Sequence, residues 1–470
     1  VSDELASSVP VADTGRSAAQ LAVSPIQDDG AIQGDGSQGS AGTTVLRQIF
    51  GSSAILTALS IVLALLAGAI MMAATNQQVQ TAASYFFGRP SDTFAAIWQA
   101  VSGGYIAIFR GGVYNYQASN FSTGIQSILG GNGSAGALGY ATPLIAAGLG
   151  VAVGFRSGVF NIGAQGQILA AAALAGYVSF AWTLPAGIHM IVAILAALIG
   201  GGLWAMIAGI LKARTGAHEV IVTIMLNYIA IYLLDYFLHT PILRAPGSQN
   251  PQTPAAQSTA LLFPILGSTY ALDFGFILAI VATIFCWWLL SRSSLGFKFR
   301  AVGENPRAAR IAGIRINRMY IYVLVISGIL VGLAGAYQAL GNPSGVTGFG
   351  GGIDAGLGFT AITVALLGRS RPWGVFAAGI LFGVLQAGSY TIQSDQGVDP
   401  NIVPVIQSVI VLFLAAPPLV RAIFHLPAPT ARVHGKKMPP LPPTPASATT
   451  AVPKSSTDTA PITEGAVVAK

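Results

Sequence analysis

An all-α membrane protein is the fold class this sequence predicts: a polytopic bundle of about ten transmembrane helices with both termini in the cytoplasm. Three observations predict it. The 470 residues are 53% hydrophobic and only 8% charged, where a soluble domain carries roughly 25% charged residues. Apolar runs of about 20 residues, enough for a helix to cross the hydrocarbon core, recur along the chain. Of the 16 Lys and Arg between Gly51 and His425, 7 fall between Arg292 and Arg318. That clustering is the positive-inside mark of a cytoplasmic loop.

The elements follow in order. Residues 1–46 are rich in Ser, Gly, Ala, Asp and Gln, and read as a disordered cytoplasmic tail. No basic stretch leads directly into an apolar core there, so a cleaved signal peptide is not expected. The transmembrane domain is expected over 47–426. Its spans are read at Ser53 to Ala74, Ala135 to Gly154, Ile168 to Leu184, Met190 to Leu211, Val220 to Leu238 and Leu272 to Leu290. After the basic loop come Tyr320 to Leu340, Leu357 to Leu367, Val375 to Tyr390 and Ile402 to Val420. The run from Leu357 is too short to cross alone, so it extends into its Gly-rich flank or is a broken segment. Thr93 to Tyr116 is only moderately apolar and reads as an interfacial helix. Residues 427–470, rich in Pro, Thr and Ala, read as a second disordered cytoplasmic tail.

Alternation tests the orientation. With 292–318 inside, the turns at Arg156, at Lys212 and Arg214, at Arg369 and Arg371, and at Arg421 all fall inside. The stretches 75–134, 185–189, 239–270, 341–356 and 391–401 fall outside and are poor in bases, with Arg89, Arg110 and Arg244 as exceptions. Agreement among independent turns is stronger than any single hydropathy peak. Gly328 and Gly332, and Gly379 and Gly383, each put two small residues on one helix face. Such spacing serves close packing, within the bundle or against a second subunit.

Several function classes are excluded. The net charge of +7 sits at membrane turns, without the aromatic-interleaved basic stretches that bind nucleic acid. There is no G-x-x-x-x-G-K-[ST] phosphate loop and no H-E-x-x-H. The 5 His are scattered and Cys286 is the only cysteine, so neither a metal, a disulfide nor another cofactor is expected. The eight acids between Gly51 and His425 all lie outside the middle of the spans, which argues against ion-coupled transport. Energy must then come from a partner, and the basic loop is the docking surface. Within it Gly303 to Pro306 gives a turn, Asn305 can cap a following helix, and Pro306 suits its first position.

The run from Arg300 to Ile314, RAVGENPRAARIAGI, resembles the coupling segment of ABC importer permeases of the branched-chain amino acid and simple-sugar class. Phe155 to Gln167 (FRSGVFNIGAQGQ) and Glu219 to Tyr228 (EVIVTIMLNY) resemble the nucleoside and simple-sugar branch. Gly356 to Val375 resembles its later glycine-rich span and cytoplasmic turn. The resemblance covers roughly Tyr105 to Val420, most of the membrane part. The chain departs from the pattern at Gln165, where Glu is common, and at His218, where Asn is common.

The resemblance implies a multi-pass pore subunit of the bacterial plasma membrane with no catalytic residues. Its partners would be an ABC ATPase subunit, a second, related permease and an extracytoplasmic substrate-binding lipoprotein. Arg300, Gly303, Glu304, Asn305, Ala308, Ala309 and Gly313 would form the ATPase-coupling element. Asn161, Gln165, Gln167 and Asn227 are the polar candidates for the solute path, with interhelical hydrogen bonding as the alternative, since buried amides are costly without partners. The absence of buried charge favours a neutral solute such as a nucleoside or sugar over an amino acid with two charged groups. The resemblance implies a nucleoside importer, with a sugar or branched-chain amino acid permease as the alternative and a secondary transporter after those.

Overall fold

The computed structural model describes residues 53–131, 134–341 and 344–425. The expected tails, 1–46 and 427–470, and both edges of the expected domain 47–426 lie outside those residues. Every regular element among the described residues is a helix, apart from two isolated bridges.

Ser53–Thr75 (α1) stops at Asn76, whose side chain accepts from Gln78 and Val79 N–H and so caps Gln77–Ser84 (α2). The chain bends there by 68°. Pro90–Gly112 (α3) follows. Expected as an interfacial helix, it instead runs antiparallel along the C-terminal half of a later helix. Gly103 faces Gln396, Gly112 faces Val384 and Gly388 faces Ile108. Four glycines along the two helices, Gly103, Gly111, Gly112 and Gly388, allow this approach, which hydropathy alone does not register.

Among the described residues, seven helices are long and apolar enough to cross a membrane. They are Gly136–Arg156 (α4), Ala164–Ala181 (α5), Ile188–Thr215 (α6), Glu219–Leu238 (α7), Phe274–Arg292 (α8), and, after Ser294–Glu304 (α9) and Pro306–Ile311 (α10), Ile316–Leu340 (α11) and, after Leu357–Leu367 (α12), Pro372–Gln396 (α13). The bent pair α1–α2 makes up to eight. The remaining two of the ten expected segments are shorter. One is α12. The other, expected over Ile402 to Val420, ends as Ile402–Ala415 (α14), with Pro417–Ile423 (α15) after the break. Pro417 disfavours helical backbone at Ala416, and 14 residues rise only about 21 Å.

Helix α4 is the hub and packs on α8, α11, α12 and α13. Small residues set the crossings. A methyl on Gly201 would lie 2.3 Å from the Gly328 carbonyl, and one on Gly332 2.6 Å from that of Ala197. Gly379 sits on Ile145 and Gly383 on the Ala137 carbonyl. Both glycine pairs therefore serve packing inside the bundle.

The turns assigned to one side do meet. Arg156 Nε donates to the Ser370 carbonyl at 3.1 Å, and Lys212 pairs with Glu219 at 2.5 Å while lying over the Tyr320 ring. At the other end His189 bonds Thr259 and the Val178 carbonyl, and Gln257 N–H bonds Ser179. Arg110, an exception to the charge rule, is paired with Asp395.

One stretch overturns the expected topology. Residues 344–356 do not stay outside. After α11 the chain turns back and runs down α5: the Phe349 ring fills the space over Gly176, Ile353 accepts from Gln338 Nε2 at 2.6 Å, and Gly358 lies against the Gln165 backbone. Gly176 and Gln165 are three turns of α5 apart, about 16 Å. The short α12 is thus the second half of a broken segment whose first half, 348–356, is irregular chain and turns. Asp354 lies in that first half, so one acid is buried within the bundle beside Gln165 of α5, contrary to expectation.

Candidate functional site

At the basic end the loop 292–318 folds as two helices and a hinge. Ser293 caps α9, accepting from Gly296 N–H at 2.9 Å. Asn305 is extended (φ −153°) and its Oδ1 accepts from Ala308 N–H at 3.0 Å, with Pro306 in the first turn of α10. Gly313, at φ +79°, closes the element in a conformation that penalises a Cβ. The sequence implied the cap and the proline position. It did not imply that α9 is helical.

Between α9 and α10 lies a groove of about 500 Å³ lined by Phe297, Arg300, Glu304, Asn305, Ala308 and Ala309 among others. Five of the seven expected coupling residues share it. Ala309 is its buried floor, and Ile311 stands 90% exposed on the next turn. Arg300 Nε is buried without a hydrogen-bond partner among the described residues. Arg156 and Arg371 are near enough to form with it a cationic cluster.

Gly303 faces the other way. A Cβ there would lie 2.6 Å from the Arg156 carbonyl, 2.8 Å from Ser157 C and 3.0 Å from Gly158 N. The end of α9 is therefore seated backbone on backbone against the turn that ends α4. Two packed backbones leave no side chain there to absorb a change at the contact.

From that turn the chain climbs back into the bundle through 157–163 before α5 begins. Asn161 is fully buried and all its polar atoms are used. Its Nδ2 donates to Gln167 Oε1 at 3.1 Å and to Ser327 Oγ at 2.8 Å, and its Oδ1 accepts from Gly163 N–H and Gln167 Nε2, both at 3.0 Å. Ser327 Oγ passes its own proton to the Gly150 carbonyl at 2.7 Å. Asn227 grips the same break from α7, accepting from Gly166 N–H and donating to the Ile162 carbonyl, both at 2.9 Å. Asn161, Gln167 and Asn227 thus act as a closed clamp on the broken backbone, the interhelical alternative, and of the four path candidates only Gln165 is partly exposed. It bonds the Asp354 carboxylate.

Residues 133–415 match the family described as branched-chain amino acid transport system / permease component. The chain belongs to this permease family. Among relatives, it is 38% identical over 285 residues to the guanosine ABC transporter permease protein NupP of Bacillus subtilis, covering 60% of this chain and 80% of the relative. It is 34% identical to the nucleoside ABC transporter permease protein NupB of Lactococcus lactis, over 58% of this chain and 76% of that one. The glucose ABC transporter permease protein TsgB13 of Haloferax volcanii is 33% identical, over 58% of this chain and 73% of that one. No solved structure matches.

For a permease of this family the clamp and the seated hinge are the parts that sequence reasoning did not assemble. Gly158, Ser327 and Asp354 were not singled out. Ser327 is one small polar residue in an apolar span, and Gly158 is one glycine in a turn. Neither carries a periodic signal. Asp354 was counted as extramembrane because glycine-rich sequence reads as a surface loop.

Proposed function

We propose that this permease is the membrane-spanning subunit of an ATP-driven ABC importer for nucleosides. Relatives over most of their length bear nucleoside and guanosine names, which supports the solute class. A glucose permease at similar identity keeps sugar as the second reading. ATP would be hydrolysed by a partner ATPase bound at the groove between α9 and α10, with a second, related permease completing the pore and a binding lipoprotein delivering solute. Arg300, Glu304, Asn305, Ala308 and Ala309 would receive the ATPase, Gly313 would shape the end of the element, and Gly303 would hand its motion to α4.

The observation that carries this reading is the contact of Gly303 with the Arg156–Ser157–Gly158 backbone. It joins an exposed, capped helix pair to the most buried span. Co-expression with the ATPase, partner permease and lipoprotein, then uptake of labelled guanosine, uridine and glucose into proteoliposomes, tests it. ATP-dependent guanosine or uridine uptake is expected. Glucose uptake alone would select the second reading, and uptake driven by an ion gradient without the ATPase would end both.

A further inference from the structure

The descending strip 350–356 has an unusual surface. Gly351 and Gly352 are exposed, and a Cβ on either would meet nothing within 4 Å. Ala355 and Gly356 are exposed too, both in the left-handed region at φ 46° and 73°. For Ala355 that conformation is strained, a cost that persists only where the surroundings impose it. Asp354 beneath them is 6% exposed and anchors the strip, accepting from Gly356 N–H at 3.2 Å and from the Gln165 amide. The strip therefore presents non-helical backbone outward along α5 between Gly176 and Gln165, which lie about 16 Å apart.

Hydrocarbon does not tolerate that arrangement. Non-helical backbone at membrane depth survives only when buried in protein or lining a water-filled cavity. Gly351 and Gly352 carry no side chain to cover the backbone. Their peptide groups and the partly exposed Gln165 amide offer hydrogen bonds without charge.

We propose that the strip 351–356, with Gln165, is a wall of the solute path and admits neutral solutes that hydrogen-bond to backbone and amide groups. The proposal rests on the importer reading and adds the location of its pore. It also accounts for the broken helix: glycines keep the wall thin, and Asp354 keeps it from collapsing into the bundle.

Cysteine scanning in the full complex tests it. Cys286 is replaced by Ser, and Gly351→Cys, Gly352→Cys and, as a control on an outward apolar face, Ile229→Cys are introduced singly. Neither glycine has a positive φ, so the substitutions are tolerated. A charged, membrane-impermeant thiosulfonate is applied with and without ATP. Both glycine sites should react at least about tenfold faster than Ile229→Cys in one nucleotide state and slow in the other, and modification should block uptake. Saturating guanosine should protect both. No reaction in either state, in a complex whose ATPase responds to guanosine, overturns the wall while the importer reading stands. Cross-linking to the partner permease without such reaction also overturns it, making the strip a subunit interface. State-dependent reaction in a complex indifferent to both guanosine and uridine supports the wall and refutes the nucleoside reading instead.

Discussion

Gly303→Ala puts one methyl group at the contact between α9 and α4. The nearest atoms, Arg156 O at 2.6 Å, Ser157 C at 2.8 Å and Gly158 N at 3.0 Å, are all backbone. Ordinary contact begins near ~3.5 Å. The two backbones must separate by most of an ångström, and overpacking of this kind costs about 1–3 kcal/mol. If that contact carries the coupling, the same energy appears as a loss of about 5–150-fold in solute-stimulated turnover. ATP hydrolysis without solute should persist, since the groove on the opposite face is untouched. The control is Gly313→Ala. It strains a residue at φ +79° by about 1–2 kcal/mol but meets nothing within 4 Å. Uptake and phosphate release are measured on the same proteoliposomes. Unchanged uptake per ATP in Gly303→Ala, or an equal loss in Gly313→Ala, would refute the reasoning.

Three further outcomes follow from the same packing. Asn161→Leu strips partners from Gln167, Ser327 and Gly163 N–H and should destabilise the detergent-solubilised complex by about 1–3 kcal/mol per group left unpaired. Adding Gln167→Leu should cost less than the sum of the single changes, measured by thermal unfolding, because the two amides share one network. Asn305→Ala removes the cap on Ala308 N–H and should weaken ATPase binding in a pull-down, in line with a helix-start loss of about 0.5–2 kcal/mol. Gly328→Leu meets the Gly201 carbonyl at 2.3 Å and should abolish the monodisperse complex on size exclusion. Wild-type elution would show that α6 and α11 can part.

How much was legible in the sequence depends on what held each element. Spans such as Ile188–Thr215 and Ile316–Leu340 were readable because a membrane helix satisfies its own backbone, so length and apolarity along the chain suffice. Asn305 and Pro306 were readable for a related reason: a cap acts within four residues of itself. The basic turns were readable as one side of the bundle because charge placement is a property of each turn alone, and Arg156 does meet Ser370.

What depends on distant chain was not readable. The sequence by itself determined an all-helical membrane chain, the order of its spans, the capped hinge near Asn305 and the family likeness. Only the tertiary structure decided that Asn161, Gln167 and Asn227 clamp a break, that Gly303 is seated on α4, and that 345–356 descends into the bundle. A buried amide must find a partner, but which partner is set by helices more than a hundred residues away, as with Asn161 and Ser327. A glycine-rich strip has no side chains to mark its depth. Its place follows from Phe349 over Gly176 and Gly358 against Gln165, contacts that exist only once the helices have packed.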